Sequence, residues 1–221
     1  MRRHRPLRLL ITAGPTREYL DPVRYLSNDS SGRMGFALAA VARRRGHRVT
    51  LVHGPVALRP PSGVTSVAVV SAAQMLAACK MLWPKHDVLI MAAAVADYTP
   101  LRAAAHKRKK SARELRLRLK PTPDILAQLA ARRRTDQIVV GFALEDRSPR
   151  GNARRKLEGK RLDAIVLNRP QAIGASACAL DVLVCGRPWR SFDPASKRQQ
   201  AVRIVRLVES LWSERLSGRK E

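Results

Sequence analysis

Six short apolar runs, spaced along the chain and separated by helical patterns, constrain this fold more than any other feature. They are Leu9-Leu10-Ile11-Thr12-Ala13, Val49 to Val52, Val67 to Val70, Val88 to Met91, Ile138 to Phe142 and Ala164 to Leu167. Each is too short for a helix and almost continuously apolar, so neither of its faces is suited to water. Strands of that kind belong to a parallel sheet covered by helices on both sides. Between them lie helical patterns over Met34 to Arg45, from Ser71 to Trp83, Pro123 to Arg134 and Arg150 to Arg161. Gly46 stands where a left-handed C-cap belongs, Ser71 to Gln74 has capping-box spacing, and Pro84 stops its helix. Thr122 is the expected N-cap of the helix that opens at Pro123.

The end of the chain follows a different pattern. Leu180 to Cys185, then Gly186-Arg187-Pro188, then Trp189 to Phe192, reads as an antiparallel edge hairpin. A last amphipathic helix is expected over Pro194 to Arg215, with Val202, Val205, Val208, Leu211 and Trp212 on one side. No internal repeat is apparent. The expected architecture is one α/β domain over residues 1–221: a mostly parallel sheet, helices on both faces, and an antiparallel C-terminal edge. A flexible basic flap is expected near residues 99–120, the one stretch with neither sheet nor helix logic.

Charge narrows the partners less than it first suggests. The 221 residues carry 43 Lys plus Arg against 17 Asp plus Glu, a net +26. Such a charge attracts any polyanion, nucleic acid included. Yet aromatics make up only 4 % of the chain and the arginines are scattered, so stacking platforms and a reading helix are missing. Any nucleic-acid binding is expected to be weak, salt-sensitive and without specificity. At 45 % hydrophobic residues the chain has a core and is not disordered. No run approaches the roughly 20 apolar residues of a membrane span, so no membrane partner is expected. Cys79, Cys178 and Cys185 form neither a disulfide framework nor a CxxC site, which fits a reducing cytoplasm. The five histidines show no metal-ligand spacing, and no metal-binding residues are assigned.

Ligands of open α/β sheets bind beyond the carboxyl ends of the strands. After the first strand a long loop runs to Ser30-Ser31-Gly32-Arg33-Met34-Gly35. Free N–H groups at a helix start can cradle phosphate or carboxylate there, or the segment is an ordinary capped helix. After the fourth strand, Ala92-Ala93-Ala94-Val95-Ala96-Asp97 lets a flat ligand approach the backbone, with Asp97 as hydrogen-bond acceptor or simply a cap. Phe142 at the end of the fifth strand is a base-stacking candidate or a core residue. Lys156 and Lys160 are spaced i, i+4, which suits a triphosphate grip or a solvated face. The run Lys107-Arg108-Lys109-Lys110 reads as a solvated face, or as a flap that folds over a polyphosphate. An NAD(P)-dependent oxidoreductase is the competing enzyme class. The missing GxGxxG, and His53 where an acidic residue would close the second strand, speak against it.

Several segments then resemble one family. Leu10-Ile11-Thr12-Ala13-Gly14-Pro15-Thr16-Arg17-Glu18, Asp21-Pro22-Val23-Arg24-Tyr25 and Ser27-Asn28-Asp29-Ser30-Ser31-Gly32-Arg33-Met34-Gly35 closely resemble bacterial phosphopantothenate–cysteine ligases of coenzyme A biosynthesis. Ala93 to Tyr98, the run from Lys107, Pro123-Asp124-Ile125-Leu126 and Gly141-Phe142-Ala143 recur in the same order. The resemblance implies a Rossmann-like fold and a two-step amide synthesis. The carboxylate of 4'-phosphopantothenate attacks the α-phosphate of CTP, and the amine of L-cysteine then displaces CMP, with Mg2+ assisting. It implies that Asn28 steadies the acyl intermediate with Arg24 beside it, and that Lys107 sits on a flap closing over the substrates. Nucleotide contacts are implied for Met91, Ala92, Ala93, Asp97, Lys107, Pro123, Asp124, Ile125, Leu126, Phe142, Lys156 and Lys160. Family members are commonly homodimers and are often fused behind a flavin-dependent decarboxylase. This chain begins directly at the ligase strand, so no FMN is expected; it reads as a stand-alone enzyme, with a separate phosphopantothenoylcysteine decarboxylase as an expected partner, or as a domain cut from a fusion. The family's Asn-Asp after the sixth strand reads Asn168-Arg169 here.

Overall fold

The computed structural model describes residues 5–112, 114–170 and 174–217. Eight strands form the main sheet: β1 (Arg8–Ala13), β4 (Arg48–His53), β5 (Thr65–Ala68), β6 (Val88–Met91), β9 (Ile138–Leu144), β10 (Ala164–Asn168), β11 (Ala177–Val184) and β12 (Arg190–Ser196). Their order across the sheet is β12-β11-β10-β9-β6-β1-β4-β5. All neighbours from β10 to β5 pair parallel, whereas β10–β11 and β11–β12 pair antiparallel. The expected mixed α/β sheet with an antiparallel C-terminal edge is therefore present. Two small antiparallel hairpins stand apart from it: β2 (Arg17–Tyr19) with β3 (Tyr25–Ser27), and β7 (Tyr98–Pro100) with β8 (Leu119–Pro121).

The continuous apolar runs are explained by burial on alternating faces. Leu9, Ile11, Val88, Ile90, Ile138, Val140, Ala164 and Val166 belong to one hydrophobic cluster, together with α1 (Arg33–Arg44) and α5 (Lys197–Ser217). Their sequence neighbours Leu10, Leu89, Val139 and Ile165 belong to the opposite cluster, under α2 (Ala72–Leu82), α3 (Ile125–Ala131) and α4 (Pro149–Gly159). Successive side chains of a strand point to opposite faces, so a strand with helices on both sides must be apolar at every position.

Most helix ends obey the local signals. Gly46 has φ +91°, its N–H donates to the Arg43 carbonyl, and the His47 N–H donates to Ala42, which together make a Schellman cap on α1. Ser71 and Gln74 close a capping box on α2. Some boundaries differ from expectation. Asp124, not Thr122, caps α3: its side chain accepts from the Ala127 N–H, while the Thr122 hydroxyl donates to the Ala96 carbonyl. The third strand lies at Thr65–Ala68, slightly before the Val67-to-Val70 run, because it is a sheet edge paired only to β4. The last helix starts at Lys197 rather than Pro194, because Pro194 to Ser196 still belong to β12.

Gly35, in the first turn of α1, brings that helix against the end of β1. A Cβ there would stand 2.4 Å from the Ala13 Cβ. A Cβ added at Gly151 in α4 would meet nothing within 4 Å. Gly35→Ala should therefore lower stability by about 1–3 kcal/mol through forced overpacking. Gly151→Ala should raise stability by about 0.5–1 kcal/mol by restricting the unfolded chain. Urea unfolding of the two variants, followed by circular dichroism, checks both signs.

Candidate functional site

The chain order places a topological switch beside β1. From β1 the chain moves outward through β4 and β5, then returns to β6 on the other side. The loops that leave the carboxyl ends of β1 and β6 part there, which is where open α/β sheets bind ligands. Two threonines fix how the loops part. Thr12 Oγ1 accepts from the Ala93 N–H at 3.2 Å, and Thr16 Oγ1 accepts from the Ala96 N–H at 2.9 Å. The Ala94 N–H donates to the Gly14 carbonyl at 2.9 Å, and the Thr16 N–H donates to Ala94 at 3.3 Å. The stretch from Ala92 to Asp97 is thereby stitched to β1 through backbone and hydroxyl groups.

A cleft of about 640 Å³ opens over these strand ends. It is lined by Asn28 to Gly35 at the start of α1, Met91 to Val95 and Asp97 after β6, Thr122 to Leu126 entering α3, Phe142 to Leu144 ending β9, Lys156 and Lys160 on α4, and Asn168, Gly174 and Lys197. Of the sequence-predicted nucleotide residues, Met91, Ala92, Ala93, Asp97, Pro123, Asp124, Ile125, Leu126, Phe142, Lys156 and Lys160 all line it. So does Asn28.

The site is shaped by how its polar groups are held. Asn28 Nδ2 donates to the Ala94 and Val95 carbonyls at 3.2 and 2.9 Å, which uses its amide protons and leaves its Oδ1 as the group for a ligand. Lys156 Nζ donates to the Phe142 carbonyl at 3.1 Å. Burial pushes the Lys156 ammonium below its ordinary range, and the nearby Lys160 pushes the same way. Lys160 Nζ lies 2.6 Å from Asp124 Oδ2. Burial works against the Asp124 carboxylate, but Lys160 and the Ala127 N–H outweigh it and hold its pKa below normal.

Arg24 and Lys107 lie outside this cleft lining. Arg24 instead ties the β2–β3 turn to Arg108, in the segment between β7 and β8. Asp21 Oδ2 accepts from Arg24 Nε and Nη2 at 3.0 and 2.7 Å, and from the Arg108 N–H at 3.2 Å. Arg24 Nη2 also donates to the Arg108 carbonyl at 2.6 Å. Burial opposes ionisation of Asp21, yet Arg24 and three backbone N–H groups hold its carboxyl well below the usual carboxylate range. The segment in which a flap is expected thus lies between the strands of the β7–β8 hairpin and is tied at Arg108 to the β2–β3 turn, and Lys107 is exposed beside the tie. The Asp21 latch, the hairpin of β2 and β3, and the cleft position of Lys197 are not legible from sequence spacing. Arg169, at the departure from the family pattern, lies 3.7 Å from Asp181 on β11, so its charge faces the neighbouring strand. Among the described residues no three His, Cys, Asp or Glu side chains cluster as a metal site. No helix of the described residues is long and apolar enough to cross a membrane.

A family model described as the DNA/pantothenate metabolism flavoprotein C-terminal domain matches residues 5–211. A protein of an unknown prokaryotic organism named cysteine/cysteine sulfinic acid decarboxylase is 48 % identical over 209 residues, covering 92 % of this chain and 58 % of its own. The coenzyme A biosynthesis bifunctional protein CoaBC of Bacillus subtilis is 46 % identical over 168 residues, covering 76 % of this chain and 41 % of its own. The chain thus spans about half the length of these curated relatives. The crystal structure of the C-terminal domain of a CoaBC protein superposes with a TM-score of 0.83 at 36 % identity, covering 97 % of this chain and 100 % of that one. With a family match over nearly its whole length and the Rossmann-like fold of that domain, the chain belongs to the DNA/pantothenate metabolism flavoprotein C-terminal domain family.

Proposed function

We propose that this chain is a phosphopantothenate–cysteine ligase of coenzyme A biosynthesis that uses CTP to activate 4'-phosphopantothenate. The observation that carries the reading is the convergence of Asn28, the Ala92 to Asp97 loop and two lysines on one cleft at the switch point. Activating a carboxylate with a nucleoside triphosphate brings several anions together, and the reaction needs fixed cations and dipoles where charge builds up. Lys156 and Lys160 supply cations, and the start of α1 supplies backbone N–H groups. A small-residue loop at Ala92 to Ala94 suits a flat base lying against the backbone.

Asn28 then acts at the second step. With its amide protons committed to Ala94 and Val95, its Oδ1 is an acceptor for the amine of L-cysteine as that amine attacks the acyl carbon. The substrate is the nucleophile, so no activated enzyme side chain is required. Mg2+ binds through one or two carboxylates together with substrate phosphates, and the exposed Asp97 on the cleft wall fits that pattern. A bound Mg2+ would neutralise charge on the triphosphate.

The flap serves closure. Lys107 is adjacent to the Arg108 tie, so Asp21 and Arg24 are positioning residues that set where the flap starts its swing. The hairpins that carry the tie also expose Tyr19, Val23, Tyr25, Tyr98, Leu115 and Leu119. A patch of that composition is suited to a second copy of the chain, which makes the protein a homodimer. A phosphopantothenoylcysteine decarboxylase activity, which uses FMN, would supply the next step.

A coupled pyrophosphate assay tests the central reading. Pyrophosphate release should require phosphopantothenate and proceed faster with CTP than with ATP, and sustained turnover should require cysteine; release independent of phosphopantothenate refutes the ligase. Asn28→Asp should slow amide formation by on the order of 10²-fold while activation persists. Lys107→Gln should slow activation by a similar factor, and a wild-type rate would remove the flap from the mechanism. Asp21→Asn should raise KM for phosphopantothenate and quicken proteolysis within residues 99–120, whereas unchanged values for both would exclude the latch. Val23→Glu combined with Leu115→Glu should turn a dimer into a monomer by analytical ultracentrifugation.

A further inference from the structure

The residues assigned above occupy one part of the cleft, and its far wall has no role yet. That wall is formed by Leu144, Asn168, Gly174 and Lys197. Lys197 reaches it because the chain reverses twice after β10. β11 runs antiparallel to β10 and β12 antiparallel to β11, so β12 ends, and α5 begins, at the same sheet end as the cleft loops. α5 packs with α1 on one face of the sheet, while Lys156 and Lys160 rise from α4 on the other.

Charge along the cleft makes this lysine consequential. Among the lining residues the cations are Arg33, Lys156, Lys160 and Lys197, and the carboxylates are Asp29, Asp97 and Asp124. With four cations against three carboxylates, the lining carries a net positive charge to which Lys197 contributes. Lys197 is half-buried, and its contacts include Cys178 Sγ, a weak acceptor 3.3 Å from its Nζ.

We infer that Lys197 is a polyphosphate-binding residue of this site, meeting the β- and γ-phosphates of the nucleotide from the α1–α5 side while Lys156 and Lys160 meet the nucleotide from the α4 side. The inference rests on the proposed use of a nucleoside triphosphate. It gives the site a clamp whose two jaws come from opposite faces of the sheet. A charge-assisted contact of this kind is lost only by ligands that carry those phosphates.

Calorimetric titration of CTP, CMP and pyrophosphate into wild type, Lys197→Met, Lys197→Arg and Cys178→Ala tests it. Lys197→Met should weaken CTP and pyrophosphate by about tenfold or more and leave CMP within a factor of about two. Lys197→Arg should recover most of the loss, and Cys178→Ala should bind CTP like wild type. Equal losses for CTP and CMP, or no loss for either, would overturn the assignment. The same loss in Cys178→Ala would also overturn it, since the lysine would then act by bracing that thiol. Thermal melts identify a variant that has failed to fold, and Lys197→Arg then carries the comparison. If wild type binds neither CTP nor pyrophosphate, the ligase reading itself fails, which is a separate outcome from a wild type that binds and a Lys197→Met that binds equally well.

Discussion

Burial of the central strands on both faces is the constraint from which the rest of this molecule follows. β1, β6, β9 and β10 bury alternate residues in two separate cores, so their positions relative to one another are held from above and below. The loops leaving their carboxyl ends start from fixed points, and a cleft built on fixed points can hold groups to the fractions of an ångström that group transfer needs. Thr12 and Thr16 extend that rigidity by one step. Their hydroxyls accept from the Ala93 and Ala96 N–H groups, and so transfer the geometry of β1 to the loop after β6.

The charge of the chain separates into parts with different physical meaning. At the amino ends of the strands, arginines are paired with buried carboxylates. Arg8 pairs with Asp87, and Arg133 and Arg215 both pair with Asp163, whose Oδ2 also accepts from the Val139 N–H. These contacts close the lower end of the sheet, opposite the cleft. Arg45 and His47 engage Glu209 between α1 and α5. At the upper end the cations face a cleft instead. A net +26 is therefore a poor guide to a partner, because placement decides what a cation does: some arginines are committed to structural pairs, while a few lysines stand at the strand tips where a ligand can reach them.

Legibility in the sequence follows the range of the interactions. The strands are readable because two-sided burial writes itself into every consecutive residue, as in Val88-Leu89-Ile90-Met91. The Gly46 cap and the Ser71 box are readable because their partners lie within five residues. Thr122 departs from its local signal for the opposite reason: its hydroxyl is taken by Ala96, 26 residues away, which leaves the cap to Asp124. The β2–β3 hairpin has strands of three residues, too short for a period of two to stand out. Residues implied for the nucleotide come from segments that resemble a family, and eleven of the twelve line the cleft; Lys107 sits outside it, between β7 and β8.

The sequence by itself determined the sheet, its two cores, the Gly46 and Ser71 caps and the segments that meet at the strand ends, since all of these depend on local pattern or on runs of neighbouring residues. Tertiary structure alone decided what those segments do to one another. Only the folded chain turns Arg24 toward Asp21 and Arg108 rather than toward the cleft, commits the amide protons of Asn28 to two carbonyls, and carries Lys197 back to the cleft end through two antiparallel strands. The physical reason is that a side chain's chemical role is set by its nearest polar partners and its depth from water. In this protein those partners come from distant parts of the chain: 84 residues separate Arg24 from Arg108, and 164 separate Arg45 from Glu209.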